Sequence, residues 1–86
     1  MYIIQIRRKA LKEIKVLPIS HKQKIIEAID KLANNPRPDG CKKLKSDDQL
    51  YRIRVGDYRV VYNIEDKVQI VEVTKVGHRK DIYRTL

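Results

Sequence analysis

Two runs of alternating residues, Leu50–Val55 and Tyr58–Ile64, flank the dipeptide Gly56-Asp57, and this hairpin signature constrains the chain more than any other feature. A two-residue loop fixes the register: Val55 faces Tyr58, Ile53 faces Val60 and Tyr51 faces Tyr62. Glycine in the first loop position suits a type II′ turn, where that residue must take a positive φ. All six paired residues are apolar or aromatic, so they make the face that packs on a core. The other face then sets Arg54 against Arg59 and Arg52 against Val61. Like charges directly opposed across two strands cost roughly a few tenths of a kcal/mol or more. A purely structural sheet has no use for that pairing, whereas an anion-binding face does.

The rest of the chain supplies the core for this hairpin. Glu65-Asp66-Lys67 marks a second turn, and a third strand is expected from Val68 to Val76, ended by Gly77. Val71 and Val73 share parity with the core set; Glu72 and Thr74 share the arginine face, with Glu72 placed to hold a guanidinium. Before the hairpin, Tyr2–Ile6 reads as a short β-branched strand. Ala10, Leu11, Ile14 and Leu17 form a helical stripe that Pro18 stops. Ser20 with Gln23 three residues on has the form of a capping box. The second stripe is Ile25, Ile26, Ala28, Ile29, Leu32 and Ala33, and it ends at Asn34-Asn35-Pro36. Arg37 to Asp48 is a polar connection, and Asp81 to Leu86 a short tail with room for one helical turn. Residues 1–86 thus form a single α+β domain: an N-terminal strand, an antiparallel two-helix hairpin, then a three-stranded antiparallel meander. The helices cover one face of a mostly antiparallel sheet and leave the other open.

The formal charge of +9 over 86 residues points to a polyanionic partner. No stretch is apolar for long enough to span a membrane. The run Met1–Ile6 is too short for a signal peptide, and Arg7, Arg8 and Lys9 follow it instead of preceding it. The single cysteine, Cys41, forms no internal disulfide and fits a reducing cytoplasm. His21 and His78 have no carboxylate at metal-ligand spacing, so no metal and no cofactor is expected.

Arg52, Arg54 and Arg59 form a cluster of fork-shaped donors suited to phosphate. Lys42, Lys43 and Lys45, ahead of the first hairpin strand, and His78, Lys80 and Arg84, near the C-terminal end, extend it as candidate RNA contacts. Arg79 and Tyr83, four residues apart, share a face if the tail is helical. These residue types can run phosphodiester cleavage, because RNA carries its own nucleophile in the 2′-hydroxyl. Arginines neutralise the charge of the pentavalent intermediate, and a tyrosine among guanidinium groups can move a proton.

Three stretches carry a family resemblance: Leu32-Ala33-Asn34-Asn35-Pro36-Arg37-Pro38, Leu50 through Tyr62, and Val76-Gly77-His78-Arg79-Lys80-Asp81-Ile82-Tyr83. On these the chain resembles the RelE/ParE toxin superfamily, more closely its RelE branch. The resemblance implies the toxin of a type II toxin-antitoxin system, monomeric within a complex with its cognate antitoxin. It implies an endoribonuclease acting on mRNA at the ribosome, by 2′-hydroxyl attack and without a metal. By motif, Arg59 would stabilise the transition state with Arg54 beside it, Arg79 would assist, and Tyr83 would orient the 2′-oxygen. Well-studied relatives often have lysine at the positions of Arg52 and Arg54. Arginine stays protonated, so the proton-transfer group is unassigned, with His78 as a substitute. Two other readings share the fold: a ParE-like inhibitor of DNA gyrase, and a basic RNA-binding module without activity.

Overall fold

A computed structural model describes residues 1–44 and 49–82. Lys45, Tyr83 and Arg84 therefore lie outside the described residues, as does the helical turn expected beyond Ile82. The elements run β1 (Ile3–Ile6), α1 (Arg8–Lys15), α2 (Ile19–Lys31), β2 (Lys42–Lys43), β3 (Leu50–Val55), β4 (Tyr58–Glu65) and β5 (Ile70–His78). The described strands make one sheet in the order β1-β5-β4-β3-β2. β1 runs parallel to β5, and every other pair is antiparallel. The fold class is the α+β arrangement expected from the sequence.

The core lies on one face of the sheet. Ala10 and Ile14 of α1, with Ile25 and Ile29 of α2 and Leu32 just after it, pack on Ile53, Val60, Tyr62, Ile64, Val71, Val73 and Val76. Leu11 and Ile26, also on the helical stripes, remain exposed. Pro18 does two jobs. It ends the α1 region, and its carbonyl accepts the first helical bond of α2, from Lys22 N–H at 3.0 Å. Its extended backbone makes it the N-cap residue, with no side-chain cap. The expected Ser20–Gln23 capping box is thus not formed, because the helix has already begun at Ile19. Proline loses nothing here, since the N–H it lacks lies ahead of the first turn.

The β3–β4 register is the one the two-residue turn dictates, with Arg54 opposite Arg59, Arg52 opposite Val61 and Val55 opposite Tyr58. Gly56 has φ 60° and Asp57 has no positive φ, as a type II′ turn needs. Two expectations fail at β5. It spans Ile70–His78, so Val68 sits in the preceding turn and Gly77 lies inside the strand. It also carries an irregularity opposite Val61/Tyr62: Tyr62 pairs with Val73 and Val61 with Lys75. Thr74 is therefore the extra residue of a bulge, its Oγ1 bonded to the Val61 carbonyl at 3.2 Å. Beyond it the parity reverses. Lys75, which regular alternation would point at the core, joins the arginine face, and Val76 takes the core position.

Candidate functional site

The Gly56-Asp57 turn gathers the arginines. Arg59 Nη1 donates to the carbonyls of Gly56 (3.0 Å) and Tyr58 (2.9 Å), which curls its guanidinium over the turn. Arg79 is held at the same corner: its N–H donates to the Asp57 carbonyl at 2.8 Å, and its Nε lies 3.7 Å from Asp57 Oδ1. Arg54, exposed, stands directly across from Arg59. Gly77 follows on β5, opposite Arg59, and contributes no side chain that would screen the cations. A Cβ there would meet Ile82 Cδ1 at 3.2 Å, so the glycine also lets the chain after β5 fold close over the strand. That chain makes a tight turn, with Ile82 N–H bonded to the His78 carbonyl.

Arg52 behaves differently from its neighbours. The face opposite the helices is not open throughout: Val61 at its centre and Ile82 are fully buried, and Arg52 is only 7% exposed. Its Nη1 is buried without a hydrogen-bond partner among the described residues, as are Lys75 Nζ and Asn63 Oδ1. Glu72 does not hold this cluster. It pairs with Arg7 at 3.1 Å, since the parallel register puts Glu72 beside Gln5 and so within reach of the next residue but one.

The flanking candidates divide between the faces. β2 pairs Lys42 with Arg52 and Lys43 with Tyr51, so Lys42 shares the arginine face and Lys43 the opposite one. His78 pairs with Tyr58 and shares its face, away from Arg59. Its ring meets the Tyr58 ring edge-on with centroids 5.7 Å apart, and the His21 ring also packs on Tyr58, at 5.0 Å. The His78 Nδ1 accepts from Lys80 N–H at 3.2 Å. That leaves Nε2 as the protonated nitrogen of the neutral ring. Lys80 is exposed beside Arg79. The sequence reading missed Lys75 and the anchoring role of Asp57. Asp57 alone had a visible signal, as the only side chain in the two-residue turn.

A second polar cluster sits at the other end of the sheet. Arg37 donates to both Asp66 oxygens (3.2 and 2.9 Å) and to Tyr51 Oη (3.3 Å), and its guanidinium lies 5.1 Å from the Tyr51 ring centroid. Tyr2 Oη donates to Asp66 at 2.7 Å. The Arg37 bonds, then that of Tyr2, hold the Asp66 carboxyl below the usual carboxylate range. Tyr62, fully buried, donates to the Pro36 carbonyl at 2.8 Å. Burial, with Cys41 Sγ 3.3 Å away, pushes its pKa well above that of a free phenol. These contacts tie the segment after α2 to the sheet and take no part in the arginine corner. Among the described residues no group of three His, Cys, Asp or Glu side chains is placed to hold a metal, and no helix is long and apolar enough to cross a membrane.

Residues 4–83 match the family model described as the ParE toxin of the type II toxin-antitoxin system parDE. Toxin RelE of Mycobacterium tuberculosis is 35% identical over 85 residues, covering 96% of this chain and 87% of that protein. Among solved structures, the archaeal RelE-RelB complex from Pyrococcus horikoshii superposes with a TM-score of 0.81 at 31% identity, over 91% of this chain and 94% of that one. The intact Escherichia coli RelBE toxin-antitoxin complex gives 0.80 at 26% identity, over 91% and 96%.

Proposed function

Because this chain belongs to the RelE/ParE family of type II toxin-antitoxin toxins, we propose that its arginine corner is the active site of an endoribonuclease that cuts mRNA on the ribosome. The observation that carries this reading is the convergence of Arg54, Arg59 and Arg79 on one two-residue turn. Three guanidinium groups, one of them anchored by Asp57, form a site for a doubly negative phosphorane.

The reaction follows from what RNA brings. The 2′-oxygen attacks the adjacent phosphorus, the P–O5′ bond breaks, and the products carry a 2′,3′-cyclic phosphate and a 5′-hydroxyl. One proton leaves the 2′-hydroxyl and one reaches the departing 5′-oxygen. Arg59, its Nη1 pinned by two carbonyls, presents a fixed edge to the phosphoryl oxygens and needs no reorganisation as charge develops. Arg79, anchored by its own backbone, supplies the second charge, and Arg54 the third. Tyr83 orients the 2′-oxygen on the strength of the family motif alone. His78 is a poor proton carrier for this site, since its ring lies on the Tyr58 face of the sheet.

The partner that restrains the toxin is an antitoxin, acidic or bringing an amphipathic helix, that masks the basic surface. Primer extension on mRNA from cells briefly expressing the chain tests the activity. Cuts within translated frames are expected, and Arg59→Ala with Tyr83→Ala abolishes them and the growth arrest. Full toxicity in that double variant refutes the site assignment. The description of the matching family as ParE toxins favours one second reading, a gyrase inhibitor. Its signature is intact mRNA with double-strand DNA breaks.

A further inference from the structure

We infer that Lys75 and Arg52 form a second phosphate subsite, one row further along the sheet from Arg54 and Arg59, which holds a neighbouring phosphate of the same RNA strand. The inference rests on reading this face as RNA-binding and adds a residue that no motif assigns. Its basis is the bulge at Thr74, which sets Lys75 opposite Val61 just as Arg52 is opposite Val61 on the other side. The two cations thus flank one valine, with their backbones two strand spacings apart, about 10 Å. Both side chains are long enough for one phosphate to bridge them across that gap.

Both are more than nine-tenths buried, at 7% for Arg52 and 9% for Lys75, and each has a buried nitrogen with no partner. A buried unpaired donor on a cation is costly, and such groups are usually satisfied by a neighbour. Asp81 lines the hollow beside Lys75 and Asp39 the cleft beside Arg52, yet neither hydrogen-bonds the orphaned nitrogens. Asn63 Oδ1, one row away on the same face, is itself unpaired. Glu72 is taken by Arg7. Glu13, which lines the same shallow hollow as Lys75, accepts from Val76 N–H at 2.9 Å. Two orphaned cationic donors on the face that carries Arg54 and Arg59 fit a phosphate, whose oxygens accept from both at once.

Lys75→Met and Lys75→Arg test the assignment. Inorganic pyrophosphate raises the Tm of the parent, and Lys75→Met loses most of that shift while Lys75→Arg keeps it. Binding of a single-stranded RNA carrying a 2′-deoxy block at the cut site weakens about tenfold in Lys75→Met, as for loss of one charge-assisted bond. The slope of log affinity against log salt falls by about 0.7. The Tm of Lys75→Met without ligand stays level or rises, since a buried unpaired charge has been replaced by an apolar chain. An unchanged pyrophosphate shift and salt slope in Lys75→Met overturns the inference while leaving the nuclease reading intact. No mRNA cleavage by the parent, with a Lys75-dependent pyrophosphate shift, overturns the nuclease reading and leaves the subsite standing. Should Lys75→Met not fold, crystals of the parent soaked in pyrophosphate decide. An oxygen bonded to both Lys75 Nζ and Arg52 Nη1 supports the subsite, and pyrophosphate bound only elsewhere refutes it.

Discussion

Reversing one charge of the opposed arginine pair should stabilise the protein and disarm it. Arg54 and Arg59 are direct cross-strand partners, and Arg54 is exposed, so Arg54→Glu disturbs no packing. The substitution removes a like-charge pair and creates an opposite-charge one, each change being worth about 0.2–1 kcal/mol. Solvent screening at an exposed site keeps the sum toward the lower end, about 1 kcal/mol. For a domain of this size that is a Tm increase of about 4–8 °C. Arg54→Ala, which only removes the repulsion, should give roughly half of it. Calorimetry of parent, Arg54→Ala and Arg54→Glu at about 20 mM and 500 mM salt separates electrostatics from packing, because screening at high salt shrinks the gain. Both variants should lose toxicity in cells, the reversed charge more completely. If Arg54→Glu melts at or below the parent at low salt, the arginines do not repel across the strands and are not retained against a folding cost.

Three further outcomes follow from the same contacts. Tyr62→Phe removes the buried bond to the Pro36 carbonyl and should cost about 1–3 kcal/mol in urea unfolding, since the buried carbonyl is left unpaired; an unchanged midpoint would mean the carbonyl finds water. Asp66 has a lowered pKa in the folded state, so its contribution is present above the usual carboxylate value near 4 and is lost as pH falls through the folded value. The Tm difference between the parent and Asp66→Asn should therefore be level from about pH 5 to 8 and shrink below about pH 4; a difference that grows on acidification contradicts the Arg37 and Tyr2 contacts. Gly56→Ala meets open space but keeps φ at 60°, so it should cost about 1–2 kcal/mol through backbone strain alone.

The hairpin could be read from sequence because two independent signals agree there. The period of two and the length of the turn admit one register, and that register puts Tyr51, Ile53, Val55, Tyr58, Val60 and Tyr62 on one face. The bulge could not be read. Thr74-Lys75-Val76 contains no glycine or proline to mark it, and regular alternation fits the valines before it equally well. What decides it is the match of Val76 to Val60 in the core, a tertiary fact. β2 escaped for a related reason: Lys42-Lys43 has no apolar pattern, and its strand exists only through pairing with Tyr51 and Arg52. The capping box was a local signal overridden by Pro18, whose carbonyl starts the helix earlier. As for the site, parity placed Arg54 and Arg59 together. The burial of Arg52 depended on what covers the second face, and the side to which His78 turns depended on the bulge.

In the proposed reaction the 2′-hydroxyl of the RNA is the nucleophile, and the arginine corner stabilises the charge it creates. A ribosome programmed with an mRNA bearing a single 2′-deoxy nucleotide at a mapped cut tests this most directly. Cleavage should vanish at that position, persist at other sites, and leave 2′,3′-cyclic phosphate ends wherever it occurs. Cleavage at the deoxy position would contradict the proposed reaction.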